Sequence, residues 1–271
     1  MLTIDARGII NYGRTSGGDR FTYLVDQLIH AHCFAGGVTL SSIHQDLRVN
    51  IPDGGVDTRV DDAVPGDTSG WLTVPTVWQY RASEYRDTSE ADLRNEILKE
   101  SADYVRARLG DGYAYRYCVC DDMPDRTKAD WTTWLNRCVR EINPNAPDAM
   151  VLTASNLAAW ANWFPPLVSI FTGGKLHEMA QHLRAWGASA RRPTPIYISV
   201  PEWEAIGLRI SAHVDLAALP SDTVLAIQGE AGVGKTRLVY EILASHPALE
   251  GFVYYTDDDN LARSIAYQLS T

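Results

Sequence analysis

The stretch WLTVPTVWQYRAS, residues 71–83, is rich in aromatic and β-branched side chains and ends in polar ones. Side chains of those two kinds are enriched in strands, so we predict a β-strand that ends close to residue 83. Successive side chains of a strand point to opposite faces of the sheet, and Gln79 and Arg81 therefore share one face. The strand would bring a side-chain carbonyl and a permanent positive charge together near its end.

The preceding segment PDGGVDTRV, residues 52–60, predicts a tight turn followed by another strand, because Asp-Gly-Gly is a strong turn signal. Asp53 falls in the turn and Asp57 on the strand that leaves it. Beside Gln79 and Arg81, Asp57 would complete a site for metal-dependent phosphodiester cleavage. Asp57 and the Gln79 carbonyl would bind Mg²⁺, while Arg81 would stabilise the charge on the phosphate. The alternative for both aspartates is turn chemistry alone, since Asp-Gly favours a turn whatever the function.

Predicted helices and strands alternate along residues 1–187, which indicates an α/β fold with a mixed sheet flanked by helices. The predicted helices cover residues 18–34, 89–112 and 125–143, and further strands cover YAYRYCVC (113–120) and AMVLT (149–153). Pro193 and Pro195 follow small and basic residues, so we predict a linker over residues 188–205.

GEAGVGKTRL, residues 229–238, fits the phosphate-binding P-loop pattern in full. Glycines let backbone N–H groups converge on phosphate oxygens, and the N-terminus of the next helix adds favourable partial charge. Lys235 would reach the β- and γ-phosphates of ATP, and Thr236 would offer its hydroxyl to Mg²⁺. A glycine-rich turn with a chance lysine is the alternative. The predicted nucleotide-binding residues are Gly229, Gly232, Val233, Gly234, Lys235, Thr236 and Arg237.

The segments around the P-loop pattern predict a buried strand before it, DTVLAIQ (222–228), and a helix after it, KTRLVYEILASH (235–246). GFVYYTDDD (251–259) predicts the next strand. Its aspartates at 257–259 could bind Mg²⁺, but we interpret them as a solvated strand end. We expect residues 206–271 to form the N-terminal part of a P-loop NTPase domain that is incomplete in this sequence.

The chain runs from the first helix through DGGVD, a loop and WQYRAS to a helix and a strand. This order resembles the PD-(D/E)xK restriction-endonuclease-like fold, in the variety with glutamine at the second acidic position. Such a domain before GEAGVGKTRL resembles the prokaryotic STAND NTPases of antiviral defence. The resemblance covers residues 15–271. It implies an endonuclease-like effector domain over residues 1–187, controlled by an ATP-binding oligomerisation module. It also implies Mg²⁺ and ATP as cofactors, double-stranded DNA as substrate and a homo-oligomer.

Two positions differ from the family pattern. Arg81 stands where the family carries lysine, and arginine can stabilise charge but cannot act as a base. Thr22 stands where the first helix of the family often carries a metal-facing glutamate. Asp26, one turn on, is the predicted substitute ligand. Lys99 could supply a displaced amine or belong to a solvated helix face. The alternative to an active nuclease is therefore a degenerate nuclease fold that acts as a protein-interaction module on a signalling NTPase.

The composition limits the classes of partner. The net charge of −10 is not that of a protein that coats nucleic acid through bulk charge, so DNA would have to bind in a local groove. The sequence has no long apolar run and no signal peptide, which predicts a cytoplasmic protein without a membrane partner. The recurrent tryptophans are expected to be core residues rather than base-stacking platforms: Trp131, Trp134, Trp160 and Trp163.

Overall fold

The computed structural model describes residues 3–45, 56–173, 180–188, 201–214, 225–230, 233–246, 249 and 251–256. The chain divides into two compact units. The first unit is Thr3–Trp163, and the second unit comprises the described residues from Phe164 onward. This division falls earlier in the chain than the domain boundary predicted at residue 187.

Five strands of the first unit form one mixed sheet, in which the spatial order of the strands follows the chain. The neighbours β1–β2 and β2–β3 are antiparallel, whereas β3–β4 and β4–β5 are parallel. Parallel neighbours need crossover connections, which helices provide here. The predicted mixed sheet is confirmed. Its strands are β1 Ile43–Gln45, β2 Thr58–Val60, β3 Thr76–Arg81, β4 Ala114–Val119 and β5 Met150–Leu152.

Helices cover both faces of this sheet. Side chains of α3, α4 and α5 share a hydrophobic core with Val77, Tyr115 and Tyr117 of the central strands. On the other face, Phe21 of α2 packs edge-on against Tyr80, with ring centroids 6.4 Å apart. The helices of the first unit are α1 Ala6–Gly13, α2 Asp19–Ala35, α3 Glu90–Leu98, α4 Asp103–Gly110, α5 Asp125–Ile142 and α6 Ala154–Ala161.

The single helix predicted over residues 89–112 is two helices, so that prediction is wrong in one respect. A capping box between Ser89 and Asp92 begins α3, at the residue where the predicted helix starts. The helix ends because Lys99 has an extended ψ of 154°. Arg106 stabilises the break, since its guanidinium donates to the backbone carbonyls of Leu98, Lys99 and Glu100.

A buried arginine holds a long loop onto the sheet. Arg116 of β4 is 2% exposed, and its guanidinium donates to the carbonyls of Gly70, Trp71, Tyr115 and Asp148. Burial lowers the pKa of Arg116 to about 10. The four hydrogen bonds compensate for the loss of hydration and fix the polar loop that precedes β3.

The tryptophan prediction is confirmed only in part. Trp131 and Trp160 are buried, and Trp134 packs against the core. Trp163 lies beyond the end of α6 and is 51% exposed. Because it is outside the regular helix, it leaves the buried face and stacks on Trp71, with ring centroids 5.8 Å apart.

The second unit contains helices and one short antiparallel pair of strands, β6 with β7. The predicted helix after the P-loop pattern is confirmed as α10, which packs against α8 and α9. Residues 201–205, predicted as linker, are helical. The elements are α7 Pro165–Thr172, β6 Ala180–His182, α8 Leu183–Ala188, α9 Pro201–His213, α10 Lys235–Ala244 and β7 Tyr254–Thr256.

The buried strand predicted at DTVLAIQ is not formed in its described part. Residues 225–228 have no strand pairing and are half-buried or exposed. The predicted strand GFVYYTDDD is confirmed at β7, which pairs with β6. The aspartates at 257–259 lie outside the described residues. Among the helices that the structure describes, none combines the length and the apolar character needed to cross a membrane.

Candidate metal and nucleotide sites

Asp57 lies directly before β2, where the regular pairing of β2 with β3 ends. Its backbone N–H donates to the Trp78 carbonyl at 2.9 Å. Its carboxylate Oδ2 accepts the backbone N–H of Tyr80 at 2.6 Å. The carboxylate therefore takes the place of a backbone partner at the point where the two strands separate. The register that pairs Thr58 with Trp78 brings Asp57 alongside Gln79. Asp53 lies outside the described residues.

Gln79 and Arg81 share one face of β3, as the sequence predicts. In the register with β4, Gln79 is the neighbour of Tyr117 and Arg81 is the neighbour of Val119. Tyr117 and Val119 belong to the core beneath α3 and α5, so the shared face is the one that these helices cover.

The side-chain carbonyl of Gln79 is the unusual atom of this site. Gln79 Oε1 is buried and has no hydrogen-bond partner among the described residues. A buried acceptor without a partner costs about 1–3 kcal/mol, and most such atoms in proteins are satisfied. A cation or a water molecule at this position would remove that cost.

A second buried oxygen on the same face lacks a partner within the described ranges, namely the hydroxyl of Tyr115. Burial raises the pKa of Tyr115 well above its usual range, and Tyr117 and the carboxylates of Glu96 and Asp57 raise it further. Unsatisfied oxygens beside two carboxylates are typical of a place that holds a cation or ordered water.

Arg81 is held by its neighbours. Its Nε donates to Ser83 Oγ at 2.9 Å, and its Nη1 lies 3.6 Å from Glu96 Oε1. The other oxygen of Glu96 lies 3.6 Å from Lys99 Nζ. Glu96 thus joins Arg81 to Lys99, the residue predicted as a possible displaced amine. Sequence reasoning missed Glu96. Its spacing from Lys99 indicates a helical ion pair, but only the packing of α3 on β3 reveals the contact with Arg81.

Asp26 is not brought together with Gln79 and Arg81. It is 4% exposed on α2, and its Oδ1 accepts hydrogen bonds from Thr58 Oγ1 at 2.7 Å and from Tyr80 Oη at 2.8 Å. Tyr80 lies between Gln79 and Arg81 in β3, so its side chain points to the opposite face. The predicted substitute ligand is therefore behind the sheet, because α2 packs on that side. Burial raises the pKa of Asp26 to about 6, against the opposite effect of the hydrogen bonds from Thr58, Tyr80 and Gln45.

Asp57 and Gln79 fit Mg²⁺ in type and number. This cation is usually bound by one or two carboxylates and keeps several waters. The described residues contain no group of three or more His, Cys, Asp or Glu side chains that could hold a metal ion. A site here would therefore consist of the Asp57 carboxylate, the Gln79 carbonyl and water.

A cleft of 490 Å³ lies beyond the carboxyl ends of β3 and β4, at the same edge of the sheet as Arg81. Its charged lining is acidic apart from Arg86, with Glu84, Asp121 and Asp122. Arg14 lies 3.1 Å from both Glu84 and Asp121. This cleft is not the basic groove that a DNA backbone would favour.

The P-loop pattern in the second unit begins a helix in the expected way. Gly234 is the N-cap of α10 with a left-handed φ of 90°, and the helix starts at Lys235. Lys235 Nζ donates to the carbonyls of Gly229 and Glu230 at 2.7 and 2.6 Å, which closes the loop. Glycine suits position 234 because other residues adopt a positive φ only with strain.

The other predicted nucleotide-binding residues surround this loop. Val233 and Thr236 are exposed, and Gly232 lies outside the described residues. Arg237 forms an ion pair with Glu241, one turn along α10. Arg237 is thus engaged by its own helix, whereas Thr236 is exposed in the first turn of α10, where a phosphate would bind.

No protein-family model, curated protein or solved structure matches this chain. The side chains around Gln79 and Lys235 therefore carry the functional proposal. Both places offer groups that suit a ligand: a buried carbonyl beside a carboxylate in one, and a helix N-terminus with a lysine in the other.

Proposed function

We propose that the first unit is a Mg²⁺-dependent endodeoxyribonuclease, and that the second unit belongs to an ATP-binding module that controls it through oligomerisation in a cytoplasmic antiviral defence system. The observation that carries the nuclease proposal is the unpartnered, buried Gln79 Oε1 beside Asp57. The succession of helix, hairpin, strand, helix and strand in one mixed sheet also agrees with the resemblance to the PD-(D/E)xK fold.

The residues of this face divide the proposed chemistry between them. Asp57 and Gln79 hold Mg²⁺ through oxygen atoms, and a bound Mg²⁺ supplies Lewis acidity at the phosphate and lowers the pKa of its water. Arg81 stays protonated and stabilises the negative charge that develops on the phosphate. Glu96 orients Arg81 through the contact at 3.6 Å. Lys99, on the other side of Glu96, provides a second cation at the end of α3.

The nucleotide proposal rests on the geometry of Lys235. Its ammonium group donates to two carbonyls of the loop, and both bonds can be exchanged for phosphate oxygens when a nucleotide arrives. The N-terminus of α10 adds backbone N–H groups and favourable partial charge. Mg²⁺-ATP is therefore the proposed ligand.

A non-catalytic interaction module is the second candidate, and two observations favour it. Asp57 and Arg81 already have protein partners in Tyr80, Ser83 and Glu96, so neither needs a metal or a phosphate to be satisfied. The cleft at the same edge of the sheet is lined mainly by acidic residues.

Titration of the chain with Mn²⁺, a spectroscopic substitute for Mg²⁺, separates the two candidates. The nuclease proposal expects one Mn²⁺ site, which is lost in Asp57→Asn and binds more weakly in Gln79→Leu. Plasmid cleavage should likewise be lost in Asp57→Asn and reduced in Gln79→Leu. Asp111→Asn, an exposed aspartate on the surface, is the matched control and should bind Mn²⁺ like the unchanged chain. Equal Mn²⁺ binding by Asp57→Asn would favour the interaction module.

A further inference from the structure

One buried oxygen atom connects the two strands that carry the candidate metal site. Asp26 Oδ1 accepts hydrogen bonds from Thr58 and from Tyr80, at 2.7 and 2.8 Å. Thr58 follows Asp57 directly in β2, and Tyr80 lies between Gln79 and Arg81 in β3. Asp26 therefore ties β2 to β3 from behind the sheet, at the level where the proposed ligands stand on the front.

Tyr80 extends this connection to Asp57 itself. Its hydroxyl donates to Asp26, and its backbone N–H donates to the Asp57 carboxylate at 2.6 Å. A displacement of the Tyr80 ring would move the backbone N–H that orients the carboxylate. Phe21 packs edge-on against the same ring and restricts it further.

The chemistry of Asp26 indicates a specific use rather than packing. Its side chain is buried, and a leucine would fill similar space without the cost of burying a carboxyl group. The carboxyl group offers what leucine lacks, an acceptor that two hydroxyl donors can share. Thr58 and Tyr80 are those donors.

We propose that Asp26 is a positioning residue, which fixes the distance between β2 and β3 so that Asp57 and Gln79 converge on one cation. This inference rests on the proposed metal-dependent function. It gives Asp26 a different role from the direct ligation that the sequence predicts. Partners behind the ligands of a metal site commonly change metal affinity by about 10–100-fold when they are removed.

Mn²⁺ affinity of five variants tests the proposal. Tyr80→Phe, Thr58→Val and Asp26→Leu each remove one side of the connection, and each is expected to weaken Mn²⁺ binding by about 10-fold or more. Asp26→Asn keeps an oxygen acceptor and should recover most of the affinity that Asp26→Leu loses. Thr76→Val is the matched control, because it removes a buried hydrogen bond with Trp78 on the same face of β3. It should lower stability without weakening Mn²⁺ binding.

The pattern across the variants decides between the roles of Asp26. If Asp26 ligates the metal directly, Asp26→Asn should lose as much affinity as Asp26→Leu, while Tyr80→Phe and Thr58→Val should retain it. If Asp26 only stabilises the fold, Asp26→Leu, Tyr80→Phe and Thr58→Val should unfold at lower temperature with unchanged affinity. Either pattern would overturn the proposal.

A second measurement remains informative when the unchanged chain binds no Mn²⁺ and cleaves no DNA, which is the failure of the proposed function. Amide hydrogen exchange at residue 80 reports the bond between its N–H and Asp57. Exchange should accelerate in Asp26→Leu and Tyr80→Phe, but much less in Asp26→Asn or Thr76→Val. Unchanged exchange in Asp26→Leu would show that Asp26 does not position Asp57.

Discussion

The backbone N–H of Tyr80 donates a hydrogen bond of 2.6 Å to the carboxylate of Asp57, across the point where β2 and β3 stop pairing. This bond orients the carboxylate at the register position opposite Gln79, whose side-chain carbonyl has no hydrogen-bond partner among the described residues. The site is thus built on two neighbouring strands of a sheet, which hold side chains more rigidly than loops do.

Replacement of Gln79 by leucine should separate function from stability. Gln79→Leu removes a buried, unpartnered oxygen at nearly constant volume, so the free energy of unfolding should rise by about 1 kcal/mol or more. The same change should weaken Mn²⁺ binding. Urea denaturation and Mn²⁺ titration of the same protein provide the two measurements. A less stable Gln79→Leu protein would indicate that Oε1 has a structural partner.

Arg81 should matter for cleavage through its charge. Arg81→Ala is expected to abolish plasmid cleavage, whereas Arg81→Lys keeps or raises it, because lysine also carries the charge and is the residue of the resembling family. Arg94→Ala is the matched control, since Arg94 of α3 forms an exposed ion pair with Glu141 of α5. Full cleavage by Arg81→Ala would remove Arg81 from the proposed site.

The stability of the protein should depend on pH through Asp26. Its pKa is raised from 3.8 to about 6, so between those values the folded chain binds a proton that the unfolded chain has lost. The stabilisation that comes from this bound proton is therefore lost as the pH rises from about 4 through 6. Above pH 7, the free energy of unfolding of Asp26→Asn should exceed that of the unchanged protein by up to about 3 kcal/mol. Below about pH 4 this difference should vanish.

Urea denaturation of both proteins across this pH range measures that difference. Burial lowers the pKa of His30 to about 4 and also lowers that of His32, which makes both proteins more stable as pH rises. Comparison of the two proteins cancels these histidine contributions. A difference that stays constant with pH would mean that Asp26 does not titrate in this window.

Arg116 should be a main determinant of the stability of the first unit. Arg116→Met leaves the carbonyls of the loop and of β4 without donors, so the free energy of unfolding should fall by about 3 kcal/mol or more. Arg116→Lys should recover only part of this loss, because an ammonium group cannot reach all four carbonyls. Arg140→Ala, which breaks an exposed ion pair with Asp148, should cost less than about 1 kcal/mol.

Lys235 and Asp57 should have opposite effects on assembly and cleavage. In a protein that carries the whole NTPase domain, Lys235→Ala removes the charge proposed to meet the β- and γ-phosphates, so ATP-dependent assembly and DNA cleavage should both fail while Mn²⁺ binding persists. Asp57→Ala should leave assembly intact and abolish cleavage. Light scattering with ATP and a plasmid assay measure both properties, with the exposed Arg209→Ala as control. Normal cleavage by Lys235→Ala would show that nucleotide does not control the nuclease.

The sequence by itself determined the local features that depend on interactions within a few residues. The alternation of a strand placed Gln79 and Arg81 on one face, and the helix predicted from residue 89 begins there, with Ser89 as the N-cap of α3. The P-loop pattern likewise predicted a helix after Gly234, and α10 begins there. Each of these predictions depended on short-range geometry alone.

Only the tertiary structure decided which side chains meet. The alternation of β3 does not reveal which helix covers which face, and Asp26 was therefore predicted as a ligand although α2 lies behind the sheet. The contact between Glu96 and Arg81 required α3 to pack on the face of β3 that carries Arg81. The sequence also could not show that Gln79 Oε1 has no hydrogen-bond partner among the described residues, since such partners come from distant parts of the chain. Long-range packing, which periodicity does not encode, therefore fixed the composition of the site.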